Sequence, residues 1–314
     1  MLLYALKRLG LMTAIVAVAM TILFTMIHLV PGDPASIALG PRATPEMVRD
    51  FTVRMGLDQP VPIQLLRFFG NVLSGNMGVD VWTSKSVAAI VFNELPYTVV
   101  LALAGLGWAV LLGIPLGCYS AVRRGSWLDR LTGVFSVAAI AVPSFVIAIY
   151  LLLVFAVWLR WFPAIGAGPP GDHLTQAWHL VLPALAIGLG WVGFLARLVR
   201  ASMLEIMGEN HIRTARAFGL SPRKIIYHYA LKLAILPTVA LLGVGMGRLL
   251  SGAVFAEIVF NRPGVGRLVF ESVNSRNYPI VMGAVLVTTV LFAVSTLLSD
   301  LAAAALDPRT RDKL

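Results

Sequence analysis

Apolar positions in this chain neither alternate nor keep to one helical face; they run on. Residues 9–30, 97–122, 131–159 and 278–299 contain no Asp, Glu, Lys or Arg. Residues 180–196 and 234–247 are shorter uncharged cores of longer apolar segments, the second continuing past Arg248 to about Phe260. A helix crossing the ~30 Å hydrocarbon core of a bilayer needs about 20 mostly apolar residues, so the pattern predicts six membrane-spanning helices. The first run follows Lys7 and Arg8 as a signal peptide would. Its 22 residues exceed the roughly 7 to 15 of a signal's apolar region, and no small-residue cleavage site stands out, so it reads as a retained first span.

Composition supports lipid as the solvent. Of 314 residues, 58% are hydrophobic and 13% charged, about half the ~25% charged share of soluble domains, which excludes an ordinary water-soluble enzyme. The single cysteine, Cys118, excludes an internal disulfide and a multi-thiolate metal site. A net charge of +10 would suggest a nucleic-acid partner in a soluble protein. Here the distribution of that charge points to anionic membrane lipid and to orientation instead, with no nucleic acid. With both termini inside, the short inside segments hold 15 Lys or Arg and the short outside loops hold 4, so the termini are expected to be cytoplasmic. Residues 31–96 are too long for that rule and are expected to form an extracytoplasmic domain. Trp82, Trp158, Trp161, Trp178 and Tyr278 fall near the outer boundary as interfacial anchors. Small residues four apart, such as Gly113 with Gly117, Gly243 with Gly247, and Gly105 with Ala109, suit close helix packing. Pro115 and Pro143 lie inside predicted spans and are expected to kink them.

The segment 205–237 does not suit a passive connector. Asn210 is a plausible N-cap, His211 to Phe218 would make two helical turns, and Gly219 stands where a left-handed C′ residue is expected. Ser221 with Pro222 opens a second helix. Along it Lys224, His228 and Lys232 recur on one face, with Ile225, Tyr229 and Leu233 beside them facing protein. The short first helix is basic through Arg213 and Arg216 and apolar at Ile212, Ala215 and Phe218. It is either a knob for a groove on another protein or an amphipathic loop lying on the membrane.

The stretch HIRTARAFGLSPRKIIYHYALKLAILP resembles the cytoplasmic "EAA" loop of ABC importer permeases, in the version carried by the oligopeptide, dipeptide and nickel family. Further blocks match in the family's order: VPGDPASIALG at 30–40, MGLDQP at 55–60, VFAEIVFNRPGVGRL at 254–268, NYP at 277–279 and SDLAAAALDPRTR at 299–311. The early PGDPA and the long first outside loop resemble the B-type subunit. Arg213 and Thr214 depart from the Glu and Ala of the wider superfamily in the way peptide-type permeases do.

The resemblance implies an all-α, polytopic protein of six transmembrane helices with the type I ABC importer permease fold, in the bacterial plasma membrane. Its organisation would be a cytoplasmic start and first span (1–30), an extracytoplasmic domain (31–96), a five-helix permease core (97–306) with its coupling loop at 200–235, and a cytoplasmic tail (307–314). It implies that Glu209, Arg213, Thr214, Ala215, Arg216 and Gly219 contact a cytoplasmic ATPase, and that a C-type permease, two ATPase subunits and an extracytoplasmic solute-binding protein complete the assembly. The solute would be a dipeptide or oligopeptide, with nickel chelates and glutathione open within the family.

The chain holds no G-x-x-x-x-G-K-[ST] phosphate loop and no His-Glu-x-x-His helix. It is therefore expected not to be an enzyme and to hold no cofactor, with ATP and Mg bound by the partner ATPases. Charges inside spans are functional candidates because they are costly there. Arg248 lies eleven residues past Pro237, about 16 Å along the helix axis; it meets a peptide carboxylate or pairs with a helix of this or the partner subunit. Glu257, nine residues further, either contacts the translocation path or pairs with Arg262 or Arg267. Asp300 reads as a packing or interfacial residue. An ion-coupled secondary transporter would need a relay of membrane carboxylates beyond these two, and a membrane enzyme a convergent set of catalytic groups; neither pattern is present.

Overall fold

The computed structural model describes residues 2–29, 43–55 and 58–306. The PGDPA run and the 307–314 tail lie outside the described residues. Every named element among them is helical, with one isolated antiparallel bridge between Val79 and Ser86. In chain order the helices are α1 (Leu2–Leu29), α2 (Pro45–Met55), α3 (Val61–Leu73), α4 (Val87–Val122), α5 (Trp127–Ala141), α6 (Ser144–Leu151, continued as π turns over Leu152–Trp158) and α7 (His173–Met207). Beyond them lie α8 (Asn210–Ala217), α9 (Pro222–Lys224, widened to π over Ile225–Ala230 and closed by Leu231–Ala234), α10 (Leu236–Val259), α11 (Val265–Asn274) and α12 (Tyr278–Leu306).

Among the described residues five helices are long and apolar enough to cross a membrane, and six spans result if α5 and α6 count as one. The 131–159 run, expected as one kinked span, is broken by 104° between α5 and α6. The cause is local. Val142 and Pro143 are extended, at ψ 124 and 142, because the pyrrolidine ring disfavours a helical residue before it and removes a donor. Pro115, by contrast, sits within the continuous helix α4.

The chain forms two compact units. The smaller comprises Leu2–Tyr97 and Gly264–Leu291. Its core brings Met20 and Phe24 of α1 against Met282 and Leu286 of α12, with Phe68 and Phe69 of α3 beside them. Leu11, Ile15, Val18 and Ile22 of α1 are exposed, an apolar stripe suited to lipid. Between α3 and α4 the chain turns around Asp80, whose carboxylate accepts hydrogen bonds from the backbone N–H of Trp82 (3.3 Å) and Thr83 (3.0 Å), the Thr83 hydroxyl and the Asn277 amide. Burial pushes its pKa up, but these donors outweigh burial and leave it below the ordinary value.

The larger unit comprises Thr98–Pro263 and the part of α12 from Phe292 on. Its axle is α7, buried at positions from Leu182 to Met203. Helix α4 lies close against it: a Cβ at Gly117 would sit 2.4 Å from the Ala196 carbonyl oxygen, and one at Gly188 2.6 Å from that of Gly105. Gly243 likewise admits Ser299, whose hydroxyl accepts from the Gly243 N–H at 3.0 Å and donates to the Val239 carbonyl at 2.9 Å. The small residues spaced by four therefore serve packing within this chain.

Candidate functional sites: a capped loop helix and a mid-span cleft

The loop after α7 is a built structure. Gly208 and Glu209 donate to the Glu205 and Ile206 carbonyls (both 3.0 Å), closing α7. The extended residue that opens α8 is consequently Glu209 (ψ 154), one earlier than the expected Asn210, and it caps through its backbone alone. Its carboxylate lies 3.8 Å from His211 Nδ1. At the other end Gly219, at φ +73, completes a Schellman motif: its N–H reaches the Arg216 carbonyl at 2.9 Å and that of Leu220 reaches Ala215 at 3.2 Å.

Between the caps the helix has two faces. Ile212 and Ala215 are buried in a core with Cys118 and Ala121 of α4, Val199 and Met203 of α7, and Ile225, Ala230 and Ala234 of α9. Arg213, Thr214, Arg216, Phe218 and Gly219 are exposed, Phe218 to 81%. Thr214 returns its hydroxyl to the Asn210 carbonyl at 3.0 Å. Of the residues assigned to this loop, Ala215 thus seats the helix, whereas Glu209, Arg213, Thr214, Arg216 and Gly219 stand on its open side.

The second loop helix differs from expectation. Ala230 and Ala234 are buried where Tyr229 and Leu233 were expected, and the latter two are 38% and 42% exposed. The cause is the π segment, where the Leu231 N–H bonds back five residues to Ile226. One additional residue in the turn moves the buried register forward by one.

A polar clamp beside this core went unrecognised in the sequence. Arg200 of α7 grips Asp129 of α5 with both arms, Nε to Oδ1 at 2.6 Å and Nη2 to Oδ2 at 2.9 Å. Asp129 also accepts from the Gly125 N–H at 2.9 Å and from the Ser120 hydroxyl. One cation and four hydrogen bonds satisfy a carboxylate that is 7% exposed, fixing the end of α4, the start of α5 and α7 to one another. Asp129 and Arg200 lie 71 positions apart. The available signal was one acidic residue among the bases of the 123–130 loop.

Arg248 is the eighth residue of the apolar stretch Leu241–Val259, near its middle. It is exposed, and it lines a cleft of about 220 Å³ at the α5–α6 break with Pro143, Ser144, Trp191, Phe194 and Gly252 among its neighbours. Among the described residues its guanidinium has no hydrogen-bond or ion-pair partner. Glu257 does not line this cleft. It is fully buried and accepts a hydrogen bond from Thr98 Oγ1 at 2.6 Å, while its backbone carbonyl accepts from the Arg262 N–H at 2.8 Å. Asp300, in α12, is half-buried. No three His, Cys, Asp or Glu side chains among the described residues group closely enough to hold a metal ion.

Several apolar spans, one of them broken, around a buried axle and a seated helix in a loop define a polytopic helical membrane protein, and comparison with known proteins places it more closely. Residues 113–312 match the family "binding-protein-dependent transport system inner membrane component", and residues 1–102 match the N-terminal family of the same membrane component. The chain belongs to this family of ABC importer permeases. It is 36% identical over 98% of its length to a probable peptide ABC transporter permease of Sinorhizobium fredii, covering 99% of that protein. It is also 36% identical to a glutathione transport system permease of Salmonella paratyphi A (all of both chains), and 32% identical to a dipeptide transport system permease of Alkalihalophilus pseudofirmus (99% of this chain, all of that one). The inward-facing MetNI methionine ABC transporter shares the fold, with a TM-score of 0.54 at 17% identity over 67% of this chain and 93% of that one. The protein is accordingly a multi-pass inner-membrane permease subunit that works with other ABC components, and the family is not itself enzymatic.

Proposed function

We propose that this subunit imports peptides by alternating access, with its termini in the cytoplasm and its power stroke received at α8. The observation that carries the reading is the construction of α8: capped at Gly219, anchored by Ile212 and Ala215, and presenting Arg213, Arg216 and Phe218 outward on a chain that has no phosphate loop. A helix so rigidly seated transmits a push on its outer face to α4, α7 and α9, which share its core. Two partner ATPases holding ATP and Mg supply that push, a C-type permease completes the path, and a solute-binding protein delivers cargo outside. ATP binding draws the ATPases together and opens the path outward; hydrolysis resets it. Peptide as cargo rests on the names of the peptide, dipeptide and glutathione relatives, glutathione being itself a peptide.

The test is reconstitution in liposomes with the neighbouring gene products. Uptake of labelled dipeptides, oligopeptides or glutathione is expected only with ATP, both permeases, the ATPases and the binding protein together. Uptake by this chain alone would overturn the proposal, and so would ATP-driven uptake of a nickel chelate with none of the peptides.

A further inference from the structure

Three features meet at the α5–α6 break. The first is the Arg248 cation, mid-span, exposed into the cleft and without a protein partner among the described residues. A bare guanidinium in hydrocarbon is costly, so such a residue faces a wet path or a guest. The second is the start of α6. Pro143 cannot cap it with a side chain, and the first backbone donor to turn back to Pro143 is that of Val146, which leaves the positive end of the helix and the Ser144 hydroxyl beside the cleft. Ser144 is brought near α10 by Gly252, where an added Cβ would sit 3.4 Å from Ser144 Oγ. Gly252 is one turn from Arg248 on the same face, so both anion-seeking groups serve one opening. The third is an aromatic wall, Trp191 and Phe194, packed edge to face at 5.1 Å between centroids. Gly245 lets the Trp191 ring lie against α10, since a Cβ there would come within 2.9 Å of it.

The last turn of α5, at Ala139 and Ile140, brings only partial negative charge to the cleft, and among the described residues no carboxylate lines it, so the full charge of Arg248 has no counter-ion there. We propose that the cleft is a carboxylate-binding station, in which Arg248 and Ser144 engage an acid group of the passing solute while Trp191 and Phe194 cover its apolar part. The proposal rests on the permease reading and narrows it: the cargo carries a free carboxylate next to an apolar or aromatic group.

The test needs no transport, so it fails separately from that reading. Ser144→Cys is placed in the full chain with Cys118→Ser and expressed in membranes with and without the C-type partner. It is then reacted with an anionic sulfonatoethyl and a cationic trimethylammonioethyl thiosulfonate. The anionic reagent is expected to react about tenfold faster, with the preference abolished by Arg248→Gln. N-acetylphenylalanine should slow labelling where its amide does not. Gly252→Cys serves if Ser144→Cys misfolds, because its Cβ meets only ordinary contacts. Equal rates, a preference that survives Arg248→Gln, equal protection by acid and amide, or a thiol that reacts only after denaturation would each overturn the proposal. So would a preference that disappears once the partner permease is present, which would make Arg248 an intersubunit ion pair.

Discussion

Two arginines of the larger unit stand in opposite situations. Arg200 is held by Asp129 in a two-point contact, and Asp129 has two further donors. Arg248 lines a cleft that has, among the described residues, no carboxylate in its lining. The first cation is consumed by the fold and the second is left over. The loop end of the unit, with its clamp, its seated α8 and its glycine cap, is tied together by its own contacts, whereas the mid-span cleft leaves Arg248 without an ion-pair partner among the described residues. Asp129 makes Arg200 part of the framework; the proposed carboxylate station requires that Arg248 have no such match.

The contrast can be attacked where it is strongest. Asp129→Ala strips Arg200 of its partner and is expected to cost about 3 kcal/mol, read as a lowered thermal midpoint of the detergent-solubilised protein. Adding Arg200→Met should recover part of that loss, and no recovery would mean that the clamp is not a pair. Next in size is Gly219→Val. The site has open space around its Cβ but lies at φ +73, so the penalty is backbone strain of about 1–2 kcal/mol confined to the α8 cap. ATPase activity in the reconstituted assembly should continue while uptake falls several-fold, with Gly219→Asn intermediate; intact coupling in the Val variant would remove α8 from the power stroke. Arg248→Gln should be the mildest for folding, within about 0.5 kcal/mol, since no protein partner is lost. A destabilisation as large as that of Asp129→Ala would erase the distinction between the two arginines.

Much of the fold was legible because lipid imposes a coarse rule: long uncharged runs marked the spans. The cap of α8 was legible as well, since only the residue after Phe218 needed a left-handed backbone and that residue is a glycine. What escaped depends on distance or on winding. The Asp129–Arg200 clamp joins residues from separate helices that no local pattern relates. The buried stripe of α9 was assigned on plain α periodicity, which the π turn breaks. At Pro143 the local cause was visible, but the 104° turn depends on how α5 and α6 each pack against α7. Arg248 stood out as a charge in an apolar run; its surroundings belong to other helices and could be seen only in three dimensions.

The wide turn at Ile225–Ala230 takes up one residue more than ordinary winding would. Five residues of this winding cover about the arc that four cover in an α-helix at about 100° each, so deleting one residue there would close the turn to ordinary pitch and leave the faces on either side nearly where they are. The surplus residue thus acts as slack in the coil: losing it is expected to be tolerated, whereas a deletion in the plain winding of α10 would swing one side of that helix by about 100° against the other.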